Sequence, residues 1–157
     1  MKKITLFAYL LLSLSINGCK NQDKPESKTI LNTMKSHISL FEIPATDISR
    51  AVDFYQAILG ITIEKMELPE LGMEMGIFPY EDQMVNGVIM KAEGNQPSPN
   101  GVIIYLNGGD NLQHILDKIE INGGKIILPK TAHADESGYF ALFLDTEGNK
   151  LGLNSPN

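Results

Sequence analysis

The chain has 157 residues, enough for one globular domain; 43% are apolar and 20% charged, which excludes a disordered polyelectrolyte. A net charge of −6 excludes the basic stripe of a nucleic-acid binder, so no nucleic-acid partner is expected. The single cysteine, Cys19, excludes an internal disulfide framework and any cysteine-rich metal site.

Lys2 and Lys3 open the chain, and residues 4–16 form an apolar run. A membrane-spanning helix needs about 20 such residues, so this shorter run behind a positive start has the build of a secretory signal. Ile16-Asn17-Gly18-Cys19 follows and resembles a bacterial lipobox. The resemblance implies cleavage before Cys19, lipidation of its thiol and a place on the bacterial cell envelope, lipid-anchored to a membrane. Removing residues 1–18 takes away two lysines and no acid, which moves the charge from −6 to −8. Such a body is held to an acidic membrane surface by lipid rather than by charge. Residues 20–35 are polar and contain Pro25, which reads as a flexible tether. The expected organisation is a signal peptide over 1–18, a lipidated cysteine and tether over 19–35, and a folded domain over 36–157.

The folded part begins with a predicted strand over 38–44. Thr46 or Asp47 then caps a helix. Its Ile48, Ala51, Val52, Tyr55 and Leu59 fall on one helical stripe, and Gly60 ends it. Strands are predicted over 61–66, 73–79 and 87–92, and residues 93–100, with two prolines and a glycine, form a connection. The order then repeats. A strand is predicted over 101–106, and Asp110 is expected to cap a helix whose stripe is Leu112, Ile115, Leu116 and Ile119. Gly123 and Gly124 end that helix, and strands follow over 125–128, 139–145 and 150–154. A constant shift of 63 residues lays Asp47 on Asp110, Ile58 on Ile121, Gly60 on Gly123, Ile63 on Ile126, Asp82 on Asp145 and Asn86 on Asn149. These identities fall largely on caps and turns, where backbone geometry restricts the residue. The fold class is α+β, two tandem βαβββ modules over about 38–92 and 101–155.

The segments FEIPATDISRAVDFYQAILG (41–60), GGKIILPKT (123–131) and GYFALFLDTEGNKLGLNS (138–155) resemble the vicinal oxygen chelate superfamily, which includes glyoxalases, bleomycin-resistance proteins and extradiol dioxygenases. Asp145-Thr146-Glu147-Gly148-Asn149 stands at the superfamily's strand-turn-strand motif. The resemblance implies sheets that curve into a cup, with helices outside and a small-molecule ligand inside. Whether one chain closes that cup, or a homodimer does, stays open in the sequence.

Metal-dependent relatives hold a divalent ion with His, Gln or Glu from the first and last strands of each module. The matching positions here are Leu40, Ile103, Gly152 and Ile89, and none of these side chains binds a metal. No metal or other cofactor is therefore expected. The three histidines, His37, His114 and His133, have no ligand spacing; His133 keeps interest because its loop, 129–138, could reach over the cup mouth. Strand alternation from Leu40 points Glu42 and Pro44 into the cup; the repeat adds Tyr105 and Asn107, and the last strand adds Lys150 and Asn154. Glu42 is the candidate catalytic residue. A carboxylate shut in an apolar cup binds its proton more tightly unless paired, for example with Lys150, and can serve as a general base. Tyr105, Asn107, Lys150 and Asn154 are the candidate ligand-binding residues beside it. Met66, Met73, Met75, Met84 and Met90 crowd the first module, as core filling or as lining for an adaptable apolar pocket. Three functions stay in view: a metal-free small-molecule-binding lipoprotein, a lyase or isomerase acting next to a carbonyl, and a partner-binding module with a vestigial cup.

Overall fold

A computed structural model describes residues 36–81 and 83–157. The signal, Cys19 and the tether lie outside the described residues, as does Asp82. The first module runs β1 (Leu40–Pro44), α1 (Ile48–Leu59), β2 (Glu64–Leu68), a 3-10 turn (Pro69–Leu71), β3 (Met73–Ile77) and β4 (Asn86–Lys91). The second runs β5 (Tyr105–Asn107), α2 (Gln113–Ile119), β6 (Lys125–Ala132), β7 (Tyr139–Leu144) and β8 (Lys150–Ser155). Each module builds one mixed sheet, in the orders β1-β4-β3-β2 and β5-β8-β7-β6. In each, the first strand lies parallel to the last and the other pairs are antiparallel. This is the expected two-module βαβββ fold.

Local chemistry explains α1. Asp47 sits in extended backbone and its carboxylate accepts from the Arg50 N–H at 3.0 Å. Gly60 closes the helix at φ 69°, a left-handed position that glycine takes without strain. Ile48, Ala51, Val52 and Tyr55 are buried as the stripe predicts, while Leu59 is only half-buried. Phe54 and Ile58 are buried as well. The wider buried face has a cause: α1 is covered from two sides. Val52 packs against Gly76 of β3, while the Phe54 ring lies 6.2 Å from that of Phe143 on β7. The helices thus pack between the two sheets rather than outside them, and residues of both modules share one core.

The second module departs further from expectation. β5 has three residues, not six; Gly101 has φ 127° and Val102 is 93% exposed, so the chain joins the sheet only at Tyr105. Asp110 does not cap α2. Leu112 holds the cap position without a side-chain bond, and the Asn111 carboxamide accepts from the Gln113 N–H. β6 extends to Ala132, so most of the expected 129–138 loop is strand and hairpin. β2 starts at Glu64 rather than 61, because the Ile63 N–H donates to the Gln56 side chain on α1 and not to a strand. In the last strands the repeat runs at 64 residues: Glu42 pairs with Val88, as Tyr105 pairs with Gly152. The counterpart of Gly152 is therefore Val88, and Ile89 is a fully buried core residue.

Candidate functional site

Side-chain alternation gives each sheet a helix face and an open face. On the first sheet Ile43 and Ile89 pair toward the helices. Leu40, Glu42 and Pro44 take the opposite face, together with a row formed by Met66, Met75 and Met90 on three adjacent strands. Leu40 is 47% exposed and Met66 38%. The methionine cluster is thus drawn to the open face, except Met84, which lies in an exposed loop. Glu42 is exposed and has no hydrogen-bond or ion-pair partner among the described residues. No ion pair forms with Lys150, which stands on the other sheet.

On the second sheet, Leu106 and Leu153 pair toward the helices. Tyr105, Asn107, Gly152 and Asn154 take the open face as predicted. Tyr105 pairs with Gly152 and Asn107 with Asn154. The Tyr105 ring lies where a Cβ on residue 152 would stand, so glycine makes room for it. Tyr105, Asn107 and Asn154, with Ser137, line an open hollow of about 450 Å³. The structure therefore brings together three of the five predicted site residues. Glu42 lines, as do Tyr105 and Asn107, a second, larger groove of about 1170 Å³ that runs between the modules. Lys150 lines neither.

Sequence reasoning missed two features. His133 Nε2 lies 2.8 Å from the Asn154 Oδ1, and its ring stacks on Phe140 at 4.9 Å. The signal was there: Phe140 and Asn154 are register partners, and the β6–β7 hairpin brings residue 133 beside them. The groove was not legible, because it arises from packing between modules. Its floor is apolar, with Phe41, Ile61, Phe78, Ile104 and Ile115, and His114 stands on its wall.

The superfamily motif proves to be a lock between modules. Asp145 accepts from the Glu147 and Asn149 N–H groups and, at 2.7 Å, from the Tyr55 hydroxyl. Burial, reinforced by the charge of Asp145, pushes the Tyr55 phenol well above its ordinary range. Asn149 donates to the Pro44 carbonyl and accepts from the Ser98 N–H. Glu147, whose side chain has no exposed surface, accepts from the Thr46 N–H, the Thr46 hydroxyl, the Asp47 N–H and Arg50 Nε. Burial would raise the Glu147 carboxyl; Arg50 and the Thr46 and Asp47 donors outweigh it and hold the group below its ordinary value.

The positions that bind metal in related folds carry Leu40, Ile103, Gly152 and, in the corrected register, Val88. Their side chains offer no oxygen or nitrogen donor, so a divalent ion does not fit there. Among the described residues, no three His, Cys, Asp or Glu side chains are grouped to hold a metal elsewhere.

Comparison with known proteins agrees with this architecture. The profile of the Glyoxalase/Bleomycin resistance protein/Dioxygenase superfamily matches residues 36–153. A "Glyoxylase-like domain-containing protein" from Didymella fabae is 32% identical over 124 residues, covering 74% of this chain and 91% of its own. A glyoxalase/bleomycin resistance protein from Albidiferax ferrireducens superposes with a TM-score of 0.60 at 18% identity, over 76% of this chain and 98% of that one. A glyoxalase I mutant from Zea mays gives 0.62 at 19% identity, over 75% of this chain. This chain spans less than half the length of the maize protein, 45%.

Proposed function

The chain belongs to the Glyoxalase/Bleomycin resistance protein/Dioxygenase superfamily, and from that premise we propose that it is a lipid-anchored envelope protein that binds a small molecule without a resident metal. The observation that carries this reading is the open face of the second sheet. There Tyr105, Asn107 and Asn154 converge on one hollow, while Gly152 stands at the position where a metal ligand would be needed. Polar hydrogen-bonding groups beside an apolar groove are the usual equipment of a binding site. Cys19 supplies the anchor, and a second copy of the chain closes the cup over the open faces.

One preparation tests the reading. The protein is extracted with detergent from the membrane fraction, its metal content is measured, and its melting temperature is followed against a small-molecule library. Recovery in the soluble fraction would overturn the anchor. Stoichiometric nickel, zinc, iron or manganese would overturn the metal-free site. A bound compound raises the melting point with occupancy, and a comprehensive blank would favour a vestigial scaffold. Glu42 lines the same groove as Tyr105 and Asn107, which supports a second reading as a lyase or isomerase. Turnover of a carbonyl compound that disappears in Glu42→Gln, with folding unchanged, would establish that reading instead.

A further inference from the structure

We infer that the hollow on the second sheet is a carboxylate site, and that its ligand is a monocarboxylate with an apolar body. The inference rests on the binding reading above and deepens it. Its basis is which ends of the two carboxamides are already occupied. The Gly109 backbone N–H donates to the Asn107 Oδ1 at 2.9 Å. A backbone N–H can only donate, so Oδ1 is fixed as the acceptor and the Asn107 Nδ2 group is turned outward. The Asn154 Oδ1 faces His133 Nε2 at 2.8 Å; in the tautomer with the proton on Nε2, Oδ1 is the acceptor and the Asn154 Nδ2 group is also left over. Neither Nδ2 group, nor the Tyr105 hydroxyl, has a partner among the described residues. Asn107 and Asn154 are direct neighbours across the parallel β5–β8 pair, one strand spacing of about 4.8 Å apart, and Tyr105 is two residues from Asn107 on the same face.

Three neutral groups thus present N–H or O–H to one hollow, with their acceptor ends used elsewhere in both asparagines. No Asp or Glu lines this hollow; Asp135, which accepts from the Ser137 N–H, stands outside the lining, and Glu42 and Asp110 line the adjoining groove. A carbonyl oxygen takes two donors, whereas a carboxylate offers about four lone-pair sites and draws stronger bonds from each. Three donors suit the carboxylate. Tyr105, Leu106 and Asn107 line both the hollow and the groove between the modules. A ligand with its head on the donors can therefore lay an apolar body along Phe41, Ile61, Phe78, Ile104 and Ile115. His133 acts as a positioning residue. It is stacked on Phe140 and holds the Asn154 carboxamide in the orientation that points its amide nitrogen at the ligand.

Calorimetric titration with three probes that share one body tests this: 4-phenylbutyrate, 4-phenylbutan-1-ol and 4-phenylbutylamine. Saturable binding of the carboxylate is expected, with the alcohol weaker and the amine absent. Asn107→Asp and Asn154→Asp keep shape but replace a donor with an anion, and each should weaken 4-phenylbutyrate about tenfold or more without lowering the melting temperature. His133→Phe keeps the stack and loses the donor, and should weaken binding; His133→Gln restores an N–H and should recover most of it. Amine binding as tight as carboxylate binding, or Asp variants that bind 4-phenylbutyrate unchanged, would overturn the carboxylate site and leave the general binding reading standing. No binding of the carboxylate at millimolar concentration would also overturn it, and the library screen would then decide the broader reading by itself.

Discussion

Glu147 receives four donors from the first module, yet it lies in a turn of the second, between β7 and β8. Its carboxylate takes the place of a cap for the N–H groups at 46 and 47 and pairs with Arg50, so one side chain ties the start of α1 to the far sheet. The carboxyl is held below its ordinary value in the fold, so folding is favoured by keeping it ionised. That contribution is fully present above the unfolded value of about 4.5 and is lost as pH falls through the lower folded value. Asp47, lowered by the Arg50 N–H, titrates with the same sign. Glu147→Gln keeps the size but removes the charge, and should cost about 2 kcal/mol at pH 7. Urea denaturation at a series of pH values checks this. The gap between wild type and variant should narrow below about pH 4.5 and close as the wild-type carboxyl protonates. A gap that stays constant down to pH 3 would show that shape, rather than charge, is what Glu147 supplies.

The two helices occupy the same place in their modules but are built with different strength. α1 has a carboxylate cap, a glycine stop and a buried face wide enough to touch both sheets, and its sequence shows the first two plainly. α2 is seven residues long, its cap position is Leu112, and Asp110 stands outside it. Laying the first module on the second at a constant shift carried the cap from Asp47 to Asp110, and the fold does not honour it. Asp47→Ala should therefore lower the melting temperature through loss of the cap, while Asp110→Ala should leave it unchanged; a loss at Asp110 equal to that at Asp47 would restore the symmetric reading. The same reasoning separates what was readable from what was not. Alternation along β5 and β8 placed Tyr105, Asn107 and Asn154 on one face correctly, because strand period depends on local geometry alone. Alternation in β4 from the repeat placed Ile89 with Gly152 and was off by one, because a single added residue before a strand inverts its faces. Two-sided burial of Phe54 and Ile58 was hidden, since a helical stripe records that a face is covered and not by how many partners.

At the scale of the molecule, the position of the helices decides what the sheets can do. With α1 and α2 packed between the sheets, the open faces of one chain do not close over each other, and each leaves apolar side chains in water: Leu40 and Met66 on the first sheet, and Tyr105, 46% exposed, on the second. The strands β1 and β5 are edges, each paired on one side only. Exposed apolar faces bordered by free strand edges are what a further protein surface covers. Under the proposed function that surface is another copy of this chain, which would set a methionine-rich face against a donor-bearing face with Tyr105 and Asn154. A two-fold dimer that set the first sheet of one copy opposite the second sheet of the other would enclose two identical cups, with Glu42 from one chain and the carboxamides from its partner. It would also remove water from Glu42, which a single chain leaves exposed, and so supply the condition under which that carboxylate could act as a base. Sedimentation of the detergent-extracted protein should then give twice the mass of the processed chain, residues 19–157, after correction for bound lipid and detergent. Leu40→Lys together with Met66→Lys would bury two unpaired charges in the joined faces, at about 3 kcal/mol or more, enough to weaken the dimer over a hundredfold and return it to single chains that still fold. Ligand binding should fall with the dimer. A wild-type protein that stays monomeric at high micromolar concentration while binding ligand fully would show instead that one chain's groove and hollow are the whole site.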